Sequence, residues 1–448
     1  MPVNDISNSP ATDLKKLAEM MAAKGCSRLL VKRLSGNDNS KNQVYLGGSF
    51  GALNAFHGLS IVPATTGEHD EPIFKATLRF MWMDGDGHAY AAPTAQLILY
   101  PQYPEVRMSG FLARSPGRPS ALMNSRDPGR ILFLGLGSDG DVYGHVVAHD
   151  TPLAREFLAG GPFRRDGVFE EVPVAVPEGY DSRTALLEKL REIHREGWID
   201  SIRLNSDGAE VPCRASNCGG YTLEALLGII PNGVSEPDYL GWEVKQHGVT
   251  NFGNIETGNI TVFTPEPKGG YYKDRGVIDF VMKYGYPDKL GRPDRRNFGG
   301  IHRYGTPQTT TGLTLSLLGY DASARKITDP DGAVALVCPE GEVAASWPFQ
   351  DLLEHWNRKH AHAVYVPSKC RAEPSRQYTY GDTVRLCERT DFMMLLGAIQ
   401  DGAVYYDPGI KVERVSTSNP NTKRRSQFRI RSAQIPILYD QVIAEDVA

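Results

Sequence analysis

The sequence predicts a two-domain protein whose first half is all-β and whose second half is α/β. Short apolar segments separated by glycine- and proline-rich turns recur through the first half, a pattern typical of a small barrel. Strands and helices alternate through the second half, as they do in α/β domains. A length of 448 residues with 41% hydrophobic residues is enough for two ordinary globular cores.

An amphipathic helix is predicted at residues 13–24, and five strands follow it. Each strand is an apolar or alternating segment that ends at a turn. The predicted strands are 28–34, 76–83, 95–100, 131–136 and 141–147. We expect this first domain to cover residues 1–170.

Residues 171–181 are predicted to form an extended linker, because Pro173 and Pro177 lie in a segment without a clear period. The second domain is expected to cover residues 182–448. It opens with a helix at 182–195, for which Ser182 fits the N-cap position. Further helices are predicted at 221–230, 349–359 and 391–400, and strands at 240–246, 259–263, 363–366 and 403–406.

One nine-residue segment, which ends at Lys245, combines two carboxylates and a lysine in the pattern P-D-x4-E-x-K. Residues two apart on a strand face the same side, so Glu243 and Lys245 project together. Asp238 lies at the strand entrance, from where its carboxylate can approach that of Glu243. Mg²⁺ prefers such oxygen ligands, and a lysine beside them can stabilise charge that develops on a phosphate. Asp238 and Glu243 are therefore candidate metal ligands, and Lys245 is a candidate catalytic residue.

Glu224 is a third candidate, since it is the only charged residue of the helix predicted at 221–230. It would lie one turn into that helix, where the helix dipole favours a carboxylate. An ordinary first-turn glutamate would look the same. The strand motif is also weak by itself, because short strings of Asp, Glu and Lys arise often by chance.

The flanking residues make the motif specific. The segments GGYTLEALLGIIPN and EPDYLGWEVK resemble the catalytic core of the MvaI/BcnI family of restriction endonucleases, members of the PD-(D/E)XK nuclease superfamily. Residues 401–413 and 422–431 extend the resemblance, which runs from about residue 180 to the C-terminus. It implies a monomeric, Mg²⁺-dependent enzyme that hydrolyses duplex DNA at a short C/G-rich site of the CCWGG type. The catalytic positions that it implies are Glu224, Asp238, Glu243 and Lys245.

The first 170 residues are similar to the effector DNA-binding domain of EcoRII-type enzymes, which has the B3-like pseudobarrel fold. The segment LLVKRLSGNDNSKNQVYLGG carries most of this similarity, and residues 130–148 fit it. The resemblance implies two arms that grip the major groove and bind a second copy of the recognition site. Two loops, residues 32–43 and 103–120, correspond to these arms. Without the resemblance, both would be interpreted as ordinary surface loops. The candidate DNA contacts in this domain are Arg33, Asn37, Asp38, Asn39, Lys41, Gln43, Arg107, Arg114 and Arg118.

A basic segment at residues 411–431 is the candidate DNA-holding surface of the second domain. It has seven basic residues and one acid, and such a cluster can bind phosphates and offer arginines to guanine. A solvated basic loop is the alternative. Asp407, which precedes the segment, could accept from a cytosine amino group or could simply belong to a turn. The candidate contacts are Asp407, Lys423, Arg424, Arg425 and Arg429, with base readout placed on Arg425.

The composition of the chain restricts how it can bind DNA or metal ions and where it is located. The net charge of −4 gives no global basic character, so DNA binding needs a local basic surface. The six cysteines show no zinc-finger spacing and are predicted to be reduced thiols. His355, His360 and His362 are not predicted to bind a metal, because positions five apart share a helical face poorly. Neither a signal peptide nor a transmembrane segment is expected, which indicates a soluble, cytoplasmic protein. The resemblance to restriction endonucleases implies a prokaryotic source.

The sequence thus predicts a type IIE restriction endonuclease that acts on two copies of its DNA site. A DNA-binding regulator on an inactive nuclease fold is an alternative from a different class, and specific binding without Mg²⁺-dependent nicking would favour it. A repair or nicking nuclease is the third hypothesis. Cutting of only one strand of a fully matched site would support that hypothesis.

Overall fold

The structure, a computed structural model, describes residues 11–36, 42–66, 70–137, 139–174, 182–215, 217–230 and 237–448. The chain divides into two compact units, Met1–Tyr180 and Asp181–Ala448, called unit 1 and unit 2 below. Each unit has a buried hydrophobic core. No helix in the described part of the chain combines the length and the apolar character needed to cross a bilayer.

The described residues of unit 1 form three α-helices, twelve strands and a 3₁₀-helix at Phe50–Ala55. The helices are α1 (Leu14–Ala23), α2 (Ser120–Asn124) and α3 (Pro152–Gly160). The strands are β1 (Cys26–Arg33), β2 (Val44–Gly47), β3 (Ile61–Thr65), β4 (Pro72–Thr77), β5 (Arg79–Met83), β6 (Ala89–Ala91), β7 (Gln96–Tyr100), β8 (Glu105–Ser109), β9 (Ile131–Gly137), β10 (Asp141–Val147), β11 (Arg164–Asp166) and β12 (Phe169–Val172).

Two sheets make up unit 1. One has the order β11-β12-β1-β9-β10-β5-β6 and the other the order β2-β8-β7-β4-β3. Every residue of β9 is buried, and α1 and α3 contribute side chains to the core beside it. Both sheets end in edge strands, so a closed barrel is not found among the described residues.

The predicted helix at 13–24 is confirmed as α1, whose N-cap Asp13 accepts a hydrogen bond from the backbone of Lys16 at 2.8 Å. The prediction of one strand at 76–83 was wrong. The chain leaves the smaller sheet after β4 and enters the larger one at β5. Leu78, between them, donates its backbone hydrogen bond to Ala95 instead of continuing a ladder. A continuous apolar run cannot reveal such a change of sheet.

Unit 2 holds five α-helices, twenty strands and a 3₁₀-helix at Ser432–Leu438 in its described residues. The helices are α4 (Ser182–Arg195), α5 (Cys218–Leu226), α6 (Tyr271–Tyr284), α7 (Phe349–His360) and α8 (Phe392–Gln400). The strands are β13 (Ile199–Asp200), β14 (Ile202–Leu204), β15 (Glu210–Pro212), β16 (Glu243–Gly248), β17 (Asn259–Phe263), β18 (Tyr286–Pro287), β19 (Arg295–Gly299), β20 (Thr314–Leu318), β21 (Tyr320–Asp321), β22 (Lys326–Ile327), β23 (Ala333–Val337), β24 (Val343–Pro348), β25 (His362–Arg371), β26 (Gln377–Tyr380), β27 (Thr383–Glu388), β28 (Tyr405–Tyr406), β29 (Gly409–Glu413), β30 (Asn421–Lys423), β31 (Phe428–Arg431) and β32 (Gln441–Asp446).

Strand β25 organises the main sheet of unit 2. It pairs in parallel with β16 and antiparallel with β26 and β27. Val244 and Val364 point to the core formed with α4 and α5. Because successive side chains of a strand alternate, the residues on either side of Val244 face away from that core.

Several predicted elements of unit 2 are confirmed. The helix at 349–359 is α7, the strand at 259–263 is β17, and the helix at 391–400 is α8 with Asp391 as its N-cap. The strand at 363–366 extends further as β25, and the strand at 403–406 shrinks to β28. The helix predicted at 221–230 begins earlier, at Cys218, and ends at Leu226, before Gly228 with its φ of 74°.

Cys213 and Cys218 form a disulfide that ties the end of β15 to the start of α5. The prediction of reduced thiols was therefore wrong for this pair. The two Cα atoms are 5.7 Å apart, a distance typical of disulfides. The sequence spacing alone does not reveal this proximity. The other four cysteines are free.

Two ion pairs of Arg28 join three strands of unit 1, and they lead to a stability prediction. Arg28 Nε donates to Glu171 Oε1 at 2.7 Å, and Arg28 Nη2 donates to Asp166 Oδ2 at 2.6 Å. Burial alone would raise the pKa of Glu171, but the hydrogen bond and charge of Arg28 outweigh it and lower that pKa below its usual value.

We expect Glu171→Gln to lower the free energy of unfolding of unit 1 by about 2 kcal/mol at pH 7, because the bond to a charged group is lost. The lowered pKa means that this stability is present above the unfolded-state pKa, about 4.3, and is lost as the pH falls through the folded value. The difference from wild type should therefore close in acid. Hydrogen exchange of β1 and β12 peptides in increasing urea measures it.

Glu170→Gln is the matched control, because Glu170 pairs with Arg33, whose side chain is 54% exposed. Exposed pairs contribute at most about 1 kcal/mol. An equal loss in both variants, or a loss in Glu171→Gln that persists at acid pH, would contradict the assignment of stability to the Arg28 pair.

Candidate active site

A tight turn brings the candidate acids together. Tyr239 and Trp242 exchange both backbone hydrogen bonds, at 2.9 and 2.8 Å. Between them, Leu240 and Gly241 have φ values of 50° and 86°, the two left-handed residues of a two-residue hairpin turn. The predicted strand at 240–246 was therefore wrong in its first residues, since β16 begins only at Glu243.

Asp238 is held at the mouth of this turn. Its Oδ2 accepts a hydrogen bond from the backbone of Val244 at 3.0 Å. Burial and the charge of Glu243 raise the pKa of Asp238 to about 6, although the Val244 amide and nearby lysines oppose the rise. A carboxylate with a raised pKa next to a second acid is typical of functional sites.

Glu243 and Lys245 form a buried ion pair on β16. Lys245 Nζ donates to Glu243 Oε1 at 2.5 Å, and the Glu243 side chain is 1% exposed. Burial by itself would raise the pKa of Glu243, but the charge of Lys245 and other cations outweighs it and lowers that pKa to about 2. Burial also opposes the charge on Lys245, yet Glu243 raises the pKa of Lys245. Both groups are therefore charged.

Glu224 lies within electrostatic reach of these residues. Burial and the charge of Asp238 raise the pKa of Glu224, while Lys245 opposes the rise. The helix-dipole argument was wrong, however. Since α5 spans Cys218–Leu226, Glu224 occupies its last turn, where the dipole disfavours a carboxylate.

Lys359 joins the site and was missed by sequence reasoning. It lies in the last turn of α7, and its Nζ is 3.4 Å from Glu243 Oε2 and 3.8 Å from Asp238 Oδ1. The helix itself was predicted, but nothing in the motif connects it to a residue so far along the chain. The available signal was a lysine at the end of a helix that leads directly into a strand.

His355 and His360, on the same helix as Lys359, lie in surroundings that disfavour a charged imidazole. His360 is buried, stacks on Trp356 with ring centroids 4.2 Å apart, and places Nδ1 3.3 Å from the Tyr439 hydroxyl. Burial lowers the pKa of His355 to about 4 and holds the pKa of His360 well below its usual value. The contacts of His360 are those of a neutral core histidine.

The donor set of Asp238 and Glu243 fits a hard divalent cation. Glu243 Oε2 is buried and has no hydrogen-bond partner among the described residues. An ionised carboxylate oxygen that accepts no hydrogen bond, beside a second carboxylate, is the type of ligand that Mg²⁺ takes. The oxygens of Glu224, Asp238 and Glu243 do not all lie within 4.8 Å of one another.

Asp84, Asp86 and His88 of unit 1 do lie within that distance of one another. Asp84 Oδ1 accepts from the backbone of Asp86 at 3.0 Å and of His88 at 2.9 Å. These hydrogen bonds close the turn between β5 and β6. The turn explains the cluster without an ion.

A family model described as the MvaI/BcnI restriction endonuclease family matches residues 187–439, more than half of the chain. The chain belongs to this family. It is a type II restriction endonuclease, a nuclease that binds DNA. The matched range contains α5, β16 and α7, and so all the acids and lysines of the site. The assignment favours the endonuclease hypothesis over the regulator and the repair nuclease.

Two solved structures resemble this restriction endonuclease. MvaI in complex with its cognate DNA substrate has a TM-score of 0.44 and 14% sequence identity, over 60% of this chain and 99% of that one. MvaI in the absence of DNA has a TM-score of 0.33 and 13% identity over the same shares. Comparison with curated protein sequences gave no match.

A cleft of about 370 Å³ lies beside the basic segment of the endonuclease, and Arg425, Asp407 and Lys411 are among its lining residues. The Arg425 guanidinium lies against Gly409, where an added Cβ would be 2.8 Å from Arg425 Nε. Gly409 also donates its backbone hydrogen bond to the Arg425 carbonyl at 2.8 Å. The glycine therefore permits the position of the arginine.

Two predicted DNA contacts pair with each other instead of standing free. Arg429 Nη1 donates to Asp407 Oδ2 at 2.8 Å, and Gln427 Nε2 approaches the same oxygen at 3.4 Å. Lys423 and Arg424 are exposed. The structure thus leaves these two and Arg425 accessible, while Asp407 is engaged by Arg429.

Residues 287–305 form another segment rich in basic residues, and it is partly structural. Arg295 is 9% exposed and pairs with Asp288 at 3.1 Å and with Glu413 at 3.4 Å. His302 is buried. These two residues stabilise the sheet that carries the cleft, in which β19 pairs with β29.

The candidate contacts of unit 1 are only partly described. Arg33 pairs with Glu170 at 2.8 Å, and Arg107 donates to Gln43 at 3.1 Å while pairing with Glu105 at 2.7 Å. Gln43, just before β2, and Arg107, on β8, are therefore neighbours.

Arg114 and Arg118 lie in the loop after β8. Arg114 is exposed and has a φ of 58°. Arg118 Nε donates to Ser120 Oγ at 3.2 Å. The remaining candidates lie outside the described residues: Asn37, Asp38, Asn39 and Lys41.

We expect Gly409→Ala to weaken DNA binding about tenfold, as Arg425→Ala should, because the new methyl group displaces the guanidinium. Anisotropy with a DNA fragment that the wild-type protein cleaves, measured in Ca²⁺, tests this. Gly397→Ala is the control, because its Cβ would meet only Arg325 Nη1, at 3.4 Å. Unchanged binding in Gly409→Ala alongside weakened binding in Arg425→Ala would contradict the role given to Gly409.

Proposed function

We propose that unit 2 hydrolyses the phosphodiesters of duplex DNA in a Mg²⁺-dependent reaction, with Glu224, Asp238, Glu243 and Lys245 as its catalytic residues. The observation that supports this most is the buried Glu243, which is bonded to Lys245 through one oxygen and has no hydrogen-bond partner on the other. A buried acid kept ionised in this way is suited to hold a cation.

Asp238 and Glu243 would hold the metal through carboxylate oxygens. When bound, Mg²⁺ supplies charge stabilisation at the phosphate and lowers the pKa of a bound water. The ammonium of Lys245, oriented by Glu243, stabilises the charge that develops on the scissile phosphate. Glu224, whose pKa is raised by burial and by the charge of Asp238, would be a further hydrogen-bond acceptor for water at this site.

The accessible basic residues Lys423, Arg424 and Arg425 hold the duplex through its phosphates, and Arg425 reads a guanine from the cleft beside Gly409. Arg429 orients Asp407, through the bond at 2.8 Å, for contact with a cytosine amino group. The recognition sequence is of the CCWGG type, as the resemblance of the catalytic segment implies.

Unit 1 acts as an effector domain of B3-like type, which would make the protein a type IIE enzyme. Residues 1–170 bind one copy of the site, and residues 182–448 cleave another copy. Residues 171–181, the first two of which complete β12, link the domains. The neighbouring Gln43 and Arg107 and the exposed Arg114 support a DNA-binding role for the two loops of unit 1. The protein acts as a monomer.

Replacing a metal ligand should remove cleavage and leave DNA binding. We expect Asp238→Asn and Glu243→Gln to lower the single-turnover rate about 1000-fold, the effect of losing about 4 kcal/mol of transition-state stabilisation. Gel assays of plasmid nicking measure this, and Glu188→Gln, at an exposed position of α4, is the control. Chelation by EDTA should abolish cleavage and added Mg²⁺ should restore it. Normal cutting by either variant would show that the centre is misassigned.

The effector role predicts that a plasmid with two sites is cleaved faster than a plasmid with one. A short duplex that contains the site should accelerate cleavage of the one-site plasmid. Arg114→Ala with Arg118→Ala should remove this acceleration without changing the basal rate, because both residues belong to unit 1. Equal rates on the two plasmids would contradict the effector role but not the catalytic assignment.

A further inference from the structure

Two lysines share the carboxylate of Glu243 unequally. Lys245 donates a hydrogen bond to Oε1 at 2.5 Å, whereas Lys359 stands 3.4 Å from Oε2 and forms no hydrogen bond with it. Lys359 is also 3.8 Å from Asp238 Oδ1. Its ammonium therefore lies between the two acids assigned to the metal, close enough to compensate their charge but without a directional bond.

The backbone of Lys359 is fixed by the packing of its neighbour, whereas its side chain can move. The next residue, His360, is fully buried and stacked on Trp356. The end of α7 is therefore fixed, and it continues at once into β25. The Lys359 side chain is 18% exposed, and its flexible four-carbon stem can swing towards solvent.

The Lys359 ammonium and a divalent ion cannot both pair with the same oxygens of Asp238 and Glu243. Mg²⁺ binds carboxylate oxygens at about 2.0–2.1 Å, so an ion held by both acids would occupy the space that the Lys359 ammonium faces. Like charges at such a distance repel strongly at a partly buried site. The lysine must withdraw for the ion to enter.

The charge of the site leads to the same conclusion. Glu224, Asp238 and Glu243 carry three negative charges when ionised, and Lys245 and Lys359 carry two positive ones. Removal of the Lys359 charge would leave the site more negative and more attractive to a cation. Lys359 therefore weakens metal binding while it stabilises the buried acids.

We propose that Lys359 is a positioning residue that serves as an internal counter-cation of Asp238 and Glu243, competes with the divalent ion for them, and thereby sets the metal affinity of the site. The inference rests on the proposed metal-binding function of these acids. The displaced ammonium can pair with a DNA phosphate, which would make metal binding more favourable when the duplex is present.

The test is titration of the full-length protein with Mn²⁺ in the absence of DNA. The electron paramagnetic resonance signal of the free ion measures how much Mn²⁺ is bound at each step. We expect Lys359→Gln to bind Mn²⁺ about tenfold more tightly than wild type, a change that corresponds to about 1.4 kcal/mol. Lys359→Arg keeps the charge and should bind as wild type does. Lys268→Met removes another lysine that pairs with α7, through Asp351 at 2.7 Å, and should have no effect.

The variant Asp238→Asn measures Mn²⁺ binding outside the proposed site. Any ions that this variant still binds must lie elsewhere, for example at Asp84, Asp86 and His88. Equal or weaker binding in Lys359→Gln than in wild type overturns the proposal. So does loss of the folded circular dichroism spectrum in both Lys359→Gln and Lys359→Met, since a replaceable counter-cation cannot be required for folding. If wild type binds no more Mn²⁺ than Asp238→Asn, the metal site itself fails.

Discussion

The parallel pairing of β16 with β25 is the constraint on which the candidate site depends. Its register sets Glu243 opposite Ala363, near the start of both strands. Parallel strands begin at the same edge of a sheet, and α7 ends just before β25 begins. The last turn of α7 is therefore brought to the edge where Glu243 lies. The acids of one segment acquire Lys359 from an element that the motif does not contain.

The acids of the site are buried close together, yet their pKa values shift in opposite directions. Glu243 is bonded to Lys245, which keeps its pKa at about 2, whereas burial and the charge of Glu243 raise the pKa of Asp238 to about 6. Burial and the charge of Asp238 raise the pKa of Glu224. Like charges near one another in a partly desolvated site are unfavourable unless cations compensate them. This gives the site a physical reason to bind a divalent ion and to keep two lysines beside its acids.

Much of unit 2 could be predicted because its signals are local. Helical spacing of apolar residues located α4, α7 and α8, and strand alternation placed Glu243 beside Lys245. Signals that depend on backbone detail were less reliable. The apolar appearance of residues 240–242 concealed a turn that needs positive φ at Leu240 and Gly241. In unit 1, the run at 76–83 concealed a change of sheet at Leu78.

The sequence by itself determined the residue types of the site, the strand that carries Glu243 and Lys245, and the resemblance that the family model confirms. Only the tertiary structure decided which distant groups meet. It added Lys359 to the acids, joined Cys213 to Cys218, and paired Asp407 with Arg429. The physical reason is that periodicity reports which face of one element is buried. Contacts between elements depend instead on strand register and on the paths of turns, which local patterns do not encode.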